Sequence, residues 1–192
     1  MTTMLADSGL TWADVLRTWN ELEVPEGWRP EITPGGILTT PPPSGFHSLI
    51  ADTLHRALVR NLDDNFGVFQ SVAVAVRSVG GIFIPDVCVV AREQVPLGTD
   101  PVDSNHIVLA VEITSRGNAT HDRKRKKWAY AHGGIAQYLL VDTFDEDGPA
   151  ISLFSHPSDG IYRTTERTPF GQKVTLAAPV ATVLDSSLFP SQ

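Results

Sequence analysis

The sequence predicts a mixed α/β fold, a sheet with helices packed against it. Three observations carry that expectation. Short apolar runs of strand length, 106–114 and 137–142 foremost, are interleaved with stretches at helical period, 47–62 and 122–132. Fifteen glycines and 14 prolines in 192 residues imply frequent turns, which suits many short strands better than a helical bundle. A hydrophobic content of 42% supplies a core, and no repeat or low-complexity segment is visible. The length suits one domain over 1–192, with a core over 11–142 and a strand-rich extension over 143–192.

Taken in order, Thr11 followed by Asp14 reads as a capping box. Trp12, Val15, Leu16, Trp19 and Leu22 then fall at helical spacing, so 11–22 is a short amphipathic helix. Pro34-Gly35-Gly36 inside 28–40 predicts a strand, a tight turn and a second strand, and Pro41-Pro42-Pro43 stops regular structure. Ile50, Leu54, Leu58 and Leu62 share one face of a helix over 47–62. Val72, Val74 and Val76 alternate within 67–77, the period of a strand. After Gly80-Gly81 a second strand returns over 82–90, interrupted at Pro85. The run 106–114 is continuously apolar, as a central strand buried on both faces would be. A helix over 122–132 ends at Gly133-Gly134, and 137–142 is another buried strand. Shorter strands are expected at 150–154, 161–165 and 173–177.

The net charge of −7 argues against a protein that coats nucleic acid through its overall field. Six of the fifteen basic residues nevertheless fall within 116–127 (Arg116, Arg123, Lys124, Arg125, Lys126 and Lys127), with Asp122 the single acid. That segment is the phosphate-facing candidate, and a solvated helix face is its bland alternative. Cys88 is the only cysteine, which excludes an intramolecular disulfide and a cysteine-held zinc; among valines it reads as an inert buried thiol. The amino terminus lacks the charged start and apolar run of a secretory signal, and no stretch approaches the ~18–20 apolar residues of a membrane helix. A soluble, cytoplasmic protein is expected. The phosphate-binding G-x-x-x-x-G-K-[ST], the dinucleotide G-x-G-x-x-G, the esterase G-x-S-x-G and the zinc H-E-x-x-H are all missing.

Two acids stand in unusual places. Asp86 follows Pro85 inside the apolar run 82–90, and Glu112 lies inside 107–113. A buried carboxylate is costly without a cation or good donors, so two on neighbouring strands suggest a shared cation. Oxygen ligands without cysteine favour Mg²⁺ or Mn²⁺. The bland readings are a turn residue for Asp86 and an ion pair with Arg123 or Lys126 for Glu112.

At these residues the sequence resembles a known family. Pro85-Asp86, Glu112-x-x-Ser115, Asp122-x-x-x-Lys126-x-x-x-Tyr130 and Gly134-Ile135-x-x-Tyr138-x-x-x-Asp142, in that order, resemble the Uma family of restriction-endonuclease-like proteins, within the PD-(D/E)XK nuclease superfamily. Glu31-Ile32 before a glycine turn and His47 opening the first long helix are similar to that family as well. The resemblance runs from about Thr11 to Asp142. It implies a restriction endonuclease-like core, with Asp86 and Glu112 as ligands of a divalent metal. The superfamily's lysine stands two residues after the second acid, where this chain has Thr114; the resemblance gives that role to Lys126, one helix later. His47 would touch phosphate or assist proton transfer, and Glu31 would add an outer contact to the metal or its water; local surface residues are the bland reading of both. The function implied is a Mg²⁺- or Mn²⁺-dependent endonuclease acting on DNA. Its alternative is a catalytically inactive module of the same fold that binds nucleic acid or a protein partner, and a hydrolase of smaller phosphate esters ranks third. A homodimer is compatible, since cutting both strands of a duplex favours two sites.

Overall fold

The two most apolar segments, Ile107–Ile113 and Gln137–Asp142, lie side by side in parallel at the centre of a six-stranded sheet. The computed structural model describes residues 10–115 and 117–190. Arg116 of the basic segment and the residues read for a signal, 1–9, lie outside the described residues.

Helix α1 (Trp12–Glu21) starts at the expected box: Thr11 Oγ1 accepts from the Asp14 N–H at 3.2 Å, and the Thr11 N–H donates to Asp14 Oδ2 at 2.8 Å. A hairpin of β1 (Arg29–Thr33) and β2 (Gly36–Thr40) leads through the prolines to α2 (Gly45–Asn61), capped by Ser44. Five strands follow: β3 (Phe66–Phe69), β4 (Val74–Val76), β5 (Gly81–Phe83), β6 (Val87–Ala91) and β7 (Val102–Asp103). After β8 (Ile107–Ile113) the chain winds into a π-helical turn, His121–Lys126, that continues as α3 (Lys127–His132). Gly134, at φ +71°, turns the chain into β9 (Gln137–Asp142), a conformation glycine adopts without strain. Strands β10 (Ala150–Ser158), β11 (Ile161–Pro169), β12 (Lys173–Thr175) and β13 (Val183–Asp185) complete the described chain.

The large sheet has the order β11-β10-β9-β8-β6-β3, and a second sheet has the order β2-β1-β5-β4-β7. Ile50, Leu54 and Leu58 of α2 pack on one face of the large sheet against Val87, Val89, Leu109 and Val111. The other face meets Tyr130 and Ile135 together with the second sheet's Val74, Val76 and Phe83. Each such side chain, fully buried, contributes about 1.5–3 kcal/mol, which explains why β8 and β9 are apolar at nearly every position.

Two expected strands are each split. The segment 67–77 becomes β3 in the large sheet and β4 in the second one, with Ser71 at φ +60° in the turn between them. The segment 82–90 likewise divides into β5 and β6, again in different sheets. Pro85 has no N–H for a ladder, so the chain leaves one sheet before it and joins the other after it. Asp86 is therefore held at the junction of two sheets rather than within a strand. The extension is also more regular than expected: β10 pairs along the whole of β9, and 173–189 folds onto the α2 face through Val174, Leu184 and Phe189. Strand β13 was not anticipated. No helix among the described residues is long and apolar enough to cross a membrane.

Candidate active site

The register between β6 and β8 pairs Val87 with Val111; continued by one residue, it sets Asp86 opposite Glu112 on the same face. Asp86 Oδ2 accepts from the Ile113 N–H and lies 2.9 Å from His47 Nε2, while Oδ1 accepts from Arg29 at 2.8 Å. Glu112 Oε1 accepts from the Tyr130 hydroxyl at 2.6 Å, and its Oε2 lies 3.0 Å from Lys126 Nζ. The same ammonium sits 2.8 Å from Glu31 Oε1, and the Ile84 N–H donates to that oxygen at 2.8 Å. Asp122 Oδ1 is 3.9 Å from Lys126 Nζ. Glu31, His47, Asp86, Glu112 and Lys126 are thus brought together, and all five are buried.

Each comes from a different element for a local reason. Strand β1 alternates, so Arg29 and Glu31 project to one side, and the pairing of β1 with β5 sets them beside the crossing. The N-terminus of α2 delivers His47. Lys126 closes the π-helical turn, and Tyr130 lies four residues on, on the same helical face. A π-turn widens the helix by one residue, a device common at functional sites.

One ammonium and one guanidinium face four carboxyls, so the cluster is short of positive charge. For Asp86, burial alone would raise the pKa, but the bond and charge of His47, with Lys126 and Arg29, bring it down to about 2. For Glu31, burial is outweighed by Lys126, and its carboxyl is lowered. The deficit falls on the other two. Burial drives Glu112 well above the carboxylate range, with the charges of Asp86, Asp122 and Glu31 adding to it against Lys126. Burial likewise lifts Asp122 to about 7. Lys126 would be discharged by burial, yet Glu112, Glu31 and Asp122 raise its pKa and keep it an ammonium. Carboxyls held apart in pKa within one site are the arrangement that acid–base chemistry uses.

The bland reading of Glu112 is also realised, since its partner is Lys126. Asp86 is not a free turn residue, His47 is not a surface contact, and Glu31 is no exposed hairpin residue. Thr114, at the usual lysine position, is tied into the fold: its hydroxyl donates to Asp142 Oδ1 at 3.2 Å and accepts from the Thr143 N–H at 3.0 Å. Arg29, Asp122, Tyr130 and His121 belong to the cluster but were not singled out as site residues. The alternation Arg29-x-Glu31 and the helical spacing Asp122, Lys126, Tyr130 were the available signals. His121, 3.4 Å from Glu31 Oε2, had none.

The described residues of the basic segment do not share one face. Lys126 is buried in the cluster, Arg123 forms a double hydrogen bond with Asp142, Lys127 lies over the Phe154 ring, and Lys124 and Arg125 are exposed. Helical geometry distributes neighbours around the axis, and the described charges point different ways. Asp142, at the end of β9, is buried and takes both bonds from Arg123.

The donor set of the cluster suits a divalent cation. Its oxygens are hard, and among the described residues neither Asp122 oxygen nor Glu31 Oε2 has a hydrogen-bond partner although all three are buried. The residues fit such an ion chemically. They are not preassembled for it: among the described residues no three His, Cys, Asp or Glu side chains are grouped to hold a metal.

A mixed sheet flanked by helices, with a buried Glu on a central strand and a buried Asp just before the strand beside it, defines the class: a restriction endonuclease-like fold. The chain belongs to the Uma2 family, described as "Putative restriction endonuclease", which it matches over residues 16–185. A crystal structure from Anabaena variabilis, described as "a putative nuclease belonging to DUF820", shares the fold with a TM-score of 0.67 at 16% identity, covering 90% of this chain and 91% of that one. No curated protein matches the sequence.

Proposed function

We propose that the protein is a divalent-metal-dependent endonuclease that hydrolyses phosphodiester bonds in DNA. The observation that carries the reading is the convergence of Asp86, Glu112 and Lys126 from three elements onto one buried polar cluster. Family membership supports nuclease chemistry in general. Asp86 and Glu112 would hold Mg²⁺ or Mn²⁺, with Glu31 and Asp122 supplying further oxygens. When bound there, the cation supplies neutralisation of phosphate charge and a water of lowered pKa.

The chain's own residues supply the rest. Lys126 presents an ammonium that orients the attacking water and offsets charge developing on the phosphate. Tyr130 holds Glu112 in orientation through its 2.6 Å bond. Arg29 and His47, both on Asp86 and both at the wall of an adjoining cleft, are placed to hold the phosphate. Arg29 and Lys126 act as counterions on Asp86 Oδ1 and Glu112 Oε2, and would yield those oxygens on metal loading.

The closed ion pairs around Lys126 favour one second reading, a non-catalytic binding module of the same fold. The two separate in one experiment. Wild type, Asp86→Asn and Lys126→Met are incubated with plasmid and single-stranded DNA in Mg²⁺ and in Mn²⁺, and folding is checked by circular dichroism. The expected outcome is metal-dependent cleavage by wild type and at least a hundredfold loss in both variants (about 10²–10³ for removal of one charge-stabilising group). No cleavage in either metal, or equal cleavage by the folded variants, rejects the catalytic reading.

A further inference from the structure

A cleft of about 600 Å³ opens beside the cluster, within the size range of a small-ligand site. Its two ends differ in chemistry. At the inner end stand Arg29, His47 and His121, each in contact with an acid of the cluster. Helix α2, 17 residues long, begins there as well, so its positive end faces the same space. Leu38, Pro42, Phe46 and Phe144 add apolar surface to the lining, among threonine, serine and asparagine side chains. Among the described lining residues there is no Asp or Glu, although the chain as a whole carries 22. One ring nitrogen of a lining residue, His47 Nδ1, is buried without a hydrogen-bond partner, while His121 Nε2 faces Glu31 Oε2 at 3.4 Å.

An anion-favouring end joined to an apolar wall with an aromatic face matches one nucleotide unit, phosphate inward and base outward. A paired base cannot use such a wall, because it is already stacked and leaving the stack costs a few kcal/mol. We infer that the cleft takes an unpaired nucleotide of a DNA strand, its phosphate at Arg29 and His47 and its base against Phe46, so that the protein selects single-stranded over fully paired DNA. This rests on the nuclease reading for the nature of the ligand, and goes beyond it in naming the strand state and the residue that reads it.

The test is binding, by fluorescence anisotropy in EDTA and in Ca²⁺, of a single-stranded deoxyoligonucleotide, its duplex, and a strand of equal length with every base removed. Base–aromatic stacking of the usual strength predicts about tenfold tighter binding of the single strand than of either competitor. Phe46→Leu, which keeps an apolar side chain against the α2 core but no flat face, is expected to lose that preference, and Phe46→Tyr to retain it. Equal binding of all three nucleic acids, or an unchanged preference in Phe46→Leu, overturns the inference. Cleavage is scored separately. A wild type that binds with this preference and cuts nothing keeps the cleft assignment and loses the hydrolytic reading. A wild type that cuts duplex as fast as single strand does the opposite.

Discussion

Lys126 is a charged side chain only 5% exposed, and it remains charged because three carboxyls surround it. Buried ion pairs of this kind are weak sources of stability, since desolvation consumes most of the Coulomb gain, so their retention points to chemistry. The carboxyls of the cluster are shifted in opposite directions. Asp86 is lowered from 3.8 to about 2; its contribution to stability is complete above pH 3.8 and is lost as the pH falls through 2. Asp122 is raised from 3.8 to about 7, so the protonated form favours the folded state; that contribution is complete below pH 3.8 and lost as the pH rises through 7. Asp122→Asn removes the second slope. Between pH 5 and pH 8 its thermal midpoint is expected to fall less than that of the wild type, and parallel falls exclude the assignment. Asp86 and Glu112 were legible in the sequence, because acids inside apolar runs are a local pattern, and Lys126 was singled out through the family resemblance. Arg29 and His121 were not: each is an ordinary polar residue until another element is packed against it.

The elements read most closely were those with a strict burial pattern. Strands β8 and β9 and helix α2 fall within two residues of their expected bounds, since a doubly buried strand and a one-faced helix each impose a strict pattern. Strands β3 to β6 were read as two and are four. A period of two says that a segment is extended, and it does not say which sheet the segment joins. The split at Pro85 positions Asp86, and the cap at Ser44 positions His47, whose N–H donates to Ser44 Oγ at 3.3 Å. Ser44→Ala is expected to cost about 1 kcal/mol in urea unfolding, while Ser44→Asp, which keeps an accepting oxygen, retains stability. The Asp variant also sets a negative charge at the cleft and is expected to weaken strand binding. Loss of stability in Ser44→Asp equal to that in Ser44→Ala counts against the cap.

At the scale of the molecule, the net charge of −7 and the dispersal of the basic segment set how DNA is approached. The contacts proposed for the strand are Arg29, with His47 and His121 beside it in the cleft lining. Single strands release about 0.7 counterions per neutralised phosphate, so log K against log salt is expected to have a shallow slope, no steeper than roughly −2. A slope of −6 or steeper requires a broad basic footprint and contradicts this picture. The amino-acid sequence by itself determined that a mixed sheet with flanking helices would form, and that Asp86, Glu112 and Lys126 would need partners. Hydrophobic periodicity and the cost of burying charge are properties of short segments, which is why they can be read there. Only the tertiary structure decided who the partners are. The crossing at Pro85 sets Asp86 opposite Glu112, the first hairpin brings Arg29 and Glu31, and the π-turn swings Lys126 inward while its basic neighbours face elsewhere. These are contacts between segments up to 95 residues apart (Glu31 with Lys126), and they follow from which sheet each strand joins rather than from any local pattern.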